Sequence, residues 1–506
     1  MKLLVNARVY AYEPSTRSYR RHESLLIDGS SIVGLDADPT GAGVDTVDMQ
    51  GATILPAFAD CHVHVTDTGY FLAERNLNAT RSYDEFFTAV GRVGREYGVV
   101  FAGQYDESSW DGVRLADAAP LEHFHAGDRA MLVRIDGHSS IVNAATLAWL
   151  GLAPDTQGIE RDAAGKPTGK LFLEANWRAQ AAFMETLSLE AKRAAERRAV
   201  EMAIARGNLH LHAQLVGFAR DGYAGEIAAL KSLPAKWYPK ICEPDPQLAA
   251  DLGLRYVGGD VFLDGSIGSC TAAVSEPFLV NMTGDSPGKG GLKYSDDQVY
   301  AYFATAEALG ISAGVHAIGD RAIEQCIATW ERVLGGKPSN RGARHFIEHF
   351  EIALPEHIEA CARMGIYLSM QPQFDELWGG LGRMYDDRLG TPRMRSMNAL
   401  GRAQRAGAVL CGGDDSPVCD LNPLAGMQAC VDHHEPQERL TPEEALTMYT
   451  YNAARLGFAE DRTGRLAAGF AADLAILDRD PLAGAGFADC VVLQTWSDGE
   501  VVFSKT

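Results

Sequence analysis

Apolar and polar positions alternate in short runs over the first part of the chain, at Leu3 to Tyr12, Ser24 to Ile27, Ser31 to Leu35 and Val44 to Met49, with the turn Asp28-Gly29 between two of them. A period of two gives each run one apolar face, so this segment predicts a small antiparallel sheet. The end of the chain repeats the pattern at Ala472 to Leu477, Val491 to Trp496 and Val501 to Phe503, around Asp498-Gly499. Together the two ends predict one discontinuous β-sandwich domain, residues 1–53 and 457–506.

Between them the period changes. Ser188 to Arg206, Asp297 to Leu309, Pro355 to Met364 and Pro442 to Ala453 have helical spacing. They alternate with eight apolar runs that read as buried strands: Ile54 to His64, Leu209 to Leu215, Trp237 to Cys242, Val257 to Asp264, Ser312 to Ile318, Ala343 to His349, Ile366 to Gln371 and Ala408 to Gly413. Alternating β and α elements imply an α/β fold with a parallel sheet. Eight such strands match a (β/α)8 TIM-type barrel, placed here over residues 54–456. The stretch from about 65 to 187 is too long for one βα unit and holds two more strand-like runs, Val99 to Gln104 and Ala130 to Asp136. It reads as a large insertion after barrel strand 1, and so as a lid or pocket wall.

Composition narrows the class. With 506 residues, 46% hydrophobic, 22% charged and 52 glycines, the chain has the balance of an α/β enzyme. Its formal charge of -21 argues against nucleic acid or an anionic membrane as partner but says little about the substrate, for which a small molecule is expected. No apolar run approaches the roughly eighteen residues of a membrane span, and Met1 to Tyr10 lacks an apolar signal core, so a cytoplasmic location is expected. Nine scattered cysteines without Cys-x-x-Cys read as reduced core residues. Nothing here excludes a homo-oligomer.

Candidate chemistry sits at predicted strand ends. His62 and His64, in Asp60-Cys-His-Val-His64, end the first; alone, such a pair is equally well a structural one. His316 ends the fifth strand, His349 the sixth, and Asp415 follows the eighth. That rim is where barrels carry catalysis. Four imidazoles and a carboxylate suit zinc, with iron or manganese as alternatives. His123, His125, His433 and His434 lie in polar stretches and read as surface residues.

The order His-x-His, His, His, Asp resembles the amidohydrolase superfamily, and the surrounding segments resemble its amidohydrolase-3 branch, which includes N-substituted formamide deformylases. They are Asp136-Gly-His-Ser-Ser-Ile-Val-Asn143, Pro167-Thr-Gly-Lys-Leu171 with Glu174, Asp264-Gly-Ser-Ile-Gly-Ser269, His316-Ala-Ile-Gly-Asp-Arg-Ala322, Ser369-Met-Gln-Pro372, Leu389-Gly-Thr-Pro-Arg393 and Thr450-Tyr-Asn-Ala-Ala-Arg455. One position departs. Members resembling this branch carry a carboxylated, metal-bridging lysine where Asp260 stands here, so the resemblance implies one metal, with two as the alternative and Asp260 as a further ligand.

The resemblance further implies hydrolysis of a non-peptide carbon-nitrogen bond, with an N-acyl or N-formyl amide first. Metal-activated water would attack, Asp415 would serve as base, and His349 or His316 would stabilise the oxyanion. His138 is the expected substrate contact. Glu174 and Arg393 are further candidates that could equally pair with each other, and His212 divides between site support and packing. Deamination of an amidine-like ring carbon is the rival reading, and a metal-dependent lyase or isomerase the non-hydrolytic one.

Overall fold

The computed structural model describes residues 1–37, 43–110, 116–216, 222–280, 282 and 288–505. Parallel strands lie in two arcs. In one, Phe58–Val63 pairs with Asn208–Leu215, which pairs in turn with Lys236–Trp237 and Lys240–Ile241. In the other, Tyr256–Val257, Ser312–Ala317, Phe346–His349, Tyr367–Met370 and Val409–Gly412 pair in chain order. Hydrogen bonds join the arcs on both sides: Gly258 N donates to Ile241 O at 2.8 Å, and Asp415 N to His62 O at 2.8 Å.

Strand alternation sorts the side chains into two layers. Ile347, Leu368 and Leu410 pack on helical Phe303, Trp330, Ile358 and Leu400. Their chain neighbours Phe346, Tyr367 and Cys411 point the other way and cluster with Ala59, Cys61 and Tyr256. Two of the expected helices start where the sequence supplies caps: Ser188 Oγ accepts from Ala191 N, and Ser295 forms a capping box with Gln298.

Several expected runs are interrupted, Trp237 to Cys242 among them, which is divided into Lys236–Trp237 and Lys240–Ile241. Ile54 to His64 is two strands: Thr53–Pro56 pairs with Arg8–Glu13 and Leu474–Leu477, and only Phe58–Val63 joins the parallel arc. Pro442 to Ala453 is divided into the helices Pro442–Met448 and Tyr451–Leu456. Of Val257 to Asp264, only Val257 remains in a regular strand, because Gly258 (φ 81°) and Gly259 (φ 108°) bend the backbone. A Cβ on Gly258 would lie 2.1 Å from Gly314 O and one on Gly259 2.2 Å from Gln214 Oε1, so both positions need glycine.

The chain ends interleave. Lys2–Val5, Leu25–Asp28, Ser31–Leu35 and Asp45–Asp48 form one sheet, and the C-terminal strands Leu474–Leu477, Val492–Ser497 and Glu500–Ser504 share a six-stranded sheet with Arg8–Glu13 and Thr53–Pro56. Both sheets contribute to one core of Leu4, Val9, Ile27, Ile54, Ile476 and Trp496. Leu3 to Tyr12 is therefore not one strand; it breaks at Asn6, whose φ is 53°. Residues between the first two parallel strands build a separate five-stranded sheet around Val99–Tyr105 and Arg129–Arg134. Among the described residues, no helix is long and apolar enough to cross a membrane. All nine cysteines are buried and unpaired.

Candidate functional site

The Gly258-Gly259 bend carries Asp260 inward, and four imidazoles meet its carboxylate. Asp260 Oδ2 lies 3.3 Å from His62 Nε2 and 3.0 Å from His64 Nε2, while Oδ1 lies 3.8 Å from His316 Nδ1 and from His349 Nε2. Asp415 Oδ1 lies 3.2 Å from both His62 Nε2 and His64 Nε2. Four donors at metal-ligand distance, about 2.0 Å from a tetrahedral centre, stand roughly 3.3 Å apart. Each of Asp260 and Asp415 stands at that spacing from both His62 and His64, so the residues fit a divalent cation. The sequence-based set thus converges, with Asp260 at its centre.

Three of the four rings have a partner at the other nitrogen. His62 Nδ1 lies 2.9 Å from Glu348 Oε2, and His349 Nδ1 2.8 Å from Gln371 Oε1. His316 Nε2 lies 3.2 Å from Gly265 O, which leaves Nδ1 toward Asp260. Two of these residues hold left-handed backbone, His349 at φ 71° and Asp415 at φ 51°. At His349 that turn breaks strand alternation, so Glu348 and His349 both reach the site although adjacent in sequence. Such conformations persist only when surrounding bonds fix them. At Asp415 the bond from its N–H to His62 O does so. Asp60 reinforces the join, accepting from His62 N at 2.8 Å and Asp414 N at 3.1 Å.

The buried carboxylates favour positive charge at this cluster. Burial disfavours the imidazolium form of His62, yet the charges of Asp260, Asp415 and Glu348 hold its pKa well above the ordinary value. His64 is held at about 10 against its burial by the same two aspartates. Burial would raise the carboxyl pKa values of Asp260 and Asp415, but the neighbouring imidazoles bring both below the ordinary range. His316 moves the other way, pushed far down by burial and then by His349 and His138.

Above this cluster opens a cavity of about 490 Å³, bounded by His64, Asp260, His316, His349 and Asp415 below and by Phe101, Trp177, Phe262, Phe374 and Trp378 on its walls. His138 lines it, at the turn between Arg129–Arg134 and Ser139–Val142, its ring centroid 5.1 Å from that of His316 and 5.4 Å from that of Phe262. Asn176 and Gln180 fix that turn by donating to Gly137 O. Neighbouring Asp136 accepts from Ser266 Oγ and Ser269 Oγ, each at 2.7 Å, and from the fully buried Arg134. The motifs around residues 136 and 264 are therefore two halves of one contact that docks the insertion beside the site.

Three other candidates lie outside this cavity. Glu174 pairs with Arg178 one helical turn on, not with Arg393. Arg393 donates to the carbonyls of Leu389, Glu276 and Pro277. His212 stacks on Tyr238 at 4.5 Å, one layer below Gln214, which does line the cavity. Two rings expected at the surface are buried, because their nitrogens find backbone partners: His125 Nε2 bonds Val90 O, and His433 bonds Asn398 O and Glu435 N. Asp375 lies beside His433 and His434, but with both nitrogens of His433 so engaged that group is structural.

The residues that sequence reading missed are Glu348, Lys240, Gln214 and Gln371. Glu348 accepts from Lys240 Nζ at 2.7 Å and from Gln214 Nε2 at 3.3 Å, and Lys240 also donates to Cys61 O at 2.8 Å. Burial would raise the Glu348 pKa, but Lys240 and His62 hold it down at about 2. The available signal was a charged residue inside an otherwise apolar strand, in Phe346-Ile-Glu348-His349 and in Lys240-Ile-Cys242.

A family model described as "Amidohydrolase family" matches residues 45–503. An N-substituted formamide deformylase from Arthrobacter pascens is 26% identical over 96% of this chain and 95% of its own. Protein LONG AFTER FAR-RED 3 of Arabidopsis thaliana is 28% identical over 86% of this chain and 80% of its own. Among solved structures, an uncharacterized metal-dependent hydrolase from Pyrococcus furiosus superposes with a TM-score of 0.71 at 25% identity, covering 95% of this chain and 99% of that one.

Proposed function

The chain belongs to the amidohydrolase family and is a metal-dependent hydrolase, and on that premise we propose that it cleaves a small N-acyl amide, N-formyl amides first, at the cluster around Asp260. The carrying observation is the spacing of four donors, on His62, His64, Asp260 and Asp415, at the floor of a mostly apolar cavity. The volume suits a small organic ligand. The relative named N-substituted formamide deformylase supports the choice of a formyl group.

His62, His64, Asp260 and Asp415 would hold the ion with one further position left for water, and zinc is the first choice for this nitrogen and oxygen set. His316 and His349, facing the other oxygen of Asp260, are the donors for a second ion. When bound, the metal supplies an acidified water and a Lewis acid for the scissile carbonyl. Asp415 accepts the water proton as the oxygen attacks carbon, and returns it to the leaving nitrogen as the carbon-nitrogen bond breaks. His138, facing the cavity beside His316, stabilises the developing oxyanion by hydrogen bonding. Phe262 and Trp177, stacked 5.4 Å apart, form an apolar wall for the amine substituent.

The two parallel arcs are read as one closed (β/α)8 barrel, supported by the bonds from Gly258 to Ile241 and from Asp415 to His62. The chain-end domain then extends to Pro56, and the described residues of about 65–187 form a wall over the barrel mouth. A reducing, cytoplasmic setting fits nine unpaired buried cysteines.

The test is a zinc-reconstituted enzyme offered N-formyl and N-acetyl amines alongside amidine-like ring compounds, with acid and ammonia both followed. Acid release with free amine is expected. Ammonia release without acid would replace the amide reading with deamination.

A further inference from the structure

Which nitrogen of His62 faces the donor cluster is decided by what holds the opposite one. Glu348 Oε2 lies 2.9 Å from Nδ1, and its other oxygen accepts from Lys240 at 2.7 Å. All three side chains are at most 1% exposed. A carboxylate in such a place is costly unless it is paired, and a buried pair with one partner removed is costlier still. Lys240 provides the pairing, and the ring of Phe346, 4.5 Å from its ammonium, closes off solvent. The same ammonium donates to the carbonyl of Cys61, the residue before His62. It is thereby tied to the strand carrying the ring that Glu348 orients.

We propose that Lys240 and Glu348 act as a positioning pair that fixes His62 with Nε2 toward Asp260 and Asp415, and that Lys240 works as an ammonium, not as a carboxylated bridging lysine. A carboxylated amine carries negative charge and could not donate to both Glu348 and the Cys61 carbonyl. The lysine on the third strand therefore does not replace the one that the sequence lacks at position 260. This inference rests on the reading of His62 as a ligand.

The experiment measures zinc affinity by competition with a chromophoric chelator, and the visible spectrum of the cobalt-loaded protein, for Glu348→Gln, Lys240→Met, the double variant and His62→Asn. Thermal melts of the metal-free proteins report folding. Losing an outer partner of a ligating histidine typically lowers metal affinity 10- to 100-fold. Glu348→Gln is expected to do so and to alter the cobalt bands. The double variant, which removes both buried charges together, is expected to recover the melting temperature lost in Lys240→Met while keeping the weakened affinity. It also covers the case in which a single variant does not fold. Wild-type affinity and spectrum in the folded double variant would overturn the proposal. Unchanged zinc affinity in His62→Asn would overturn the ligand reading itself, and the proposal with it.

Discussion

Replacing Asp415 by asparagine tests whether its carboxylate moves the proton. The substitution preserves shape, and asparagine tolerates a left-handed backbone about as well as aspartate does, so the φ of 51° and the bond from N–H to His62 O survive. Alanine at that φ would add roughly 1–2 kcal/mol of strain and mix a folding defect into the result. What asparagine lacks is the charge that lies 3.2 Å from both His62 and His64 and the capacity to accept a proton. A positioned general base contributes about 10²- to 10⁴-fold, or roughly 3–5 kcal/mol of the barrier. The expected kcat of Asp415→Asn is thus about a thousandth of wild type on an N-formyl amine, read on the folded, metal-loaded fraction because the lost charge pairing with His62 and His64 also lowers the urea midpoint. Metal must be counted in each preparation, since a lost ligand lowers kcat by emptying the site. A variant that retains its metal and turns over within tenfold of wild type would refute the assignment.

Two further outcomes follow from the packing and the charges. Gly314→Ala puts a Cβ 2.0 Å from the ring of buried Phe346, two residues before His316, and should cost about 3 kcal/mol in denaturant unfolding; a loss below 1 kcal/mol would mean that these strands yield easily. Burial and then Glu226 raise the Glu196 pKa from 4.5 to about 7, against Arg193. A carboxyl whose folded pKa is raised gives its full stability below the unfolded value and loses it as pH climbs through the folded one. Glu196→Gln should therefore flatten the fall in unfolding free energy between about pH 4.5 and 7, and an unchanged slope would place the titration elsewhere.

Much of this protein can be read from its residues, because period and spacing are local properties. The apolar runs at 209–215, 312–318 and 408–413 became strands within a residue or two, since a buried strand needs little more than continuous apolar and β-branched positions. His62, His64, His316, His349 and Asp415 were legible because each falls at the end of such a run. Asp260 stood out only against the family pattern.

Tertiary structure decided the rest. The sequence could not divide Thr53–Pro56 from Phe58–Val63, because both are buried extended segments one residue apart and differ in which distant strand pairs with them. Nor could it place Lys240 against Glu348, 108 positions apart, or exclude Glu174, Arg393 and His212 from the cavity. A polar residue has the same local signature whether it faces a substrate, a carbonyl or an ion pair, and only long-range packing chooses its partner. The residue types that can bind a metal were thus written in the sequence. Which nitrogen of each ring faces the centre, and which carboxylate the rings share, depended on strands that meet only in the folded chain.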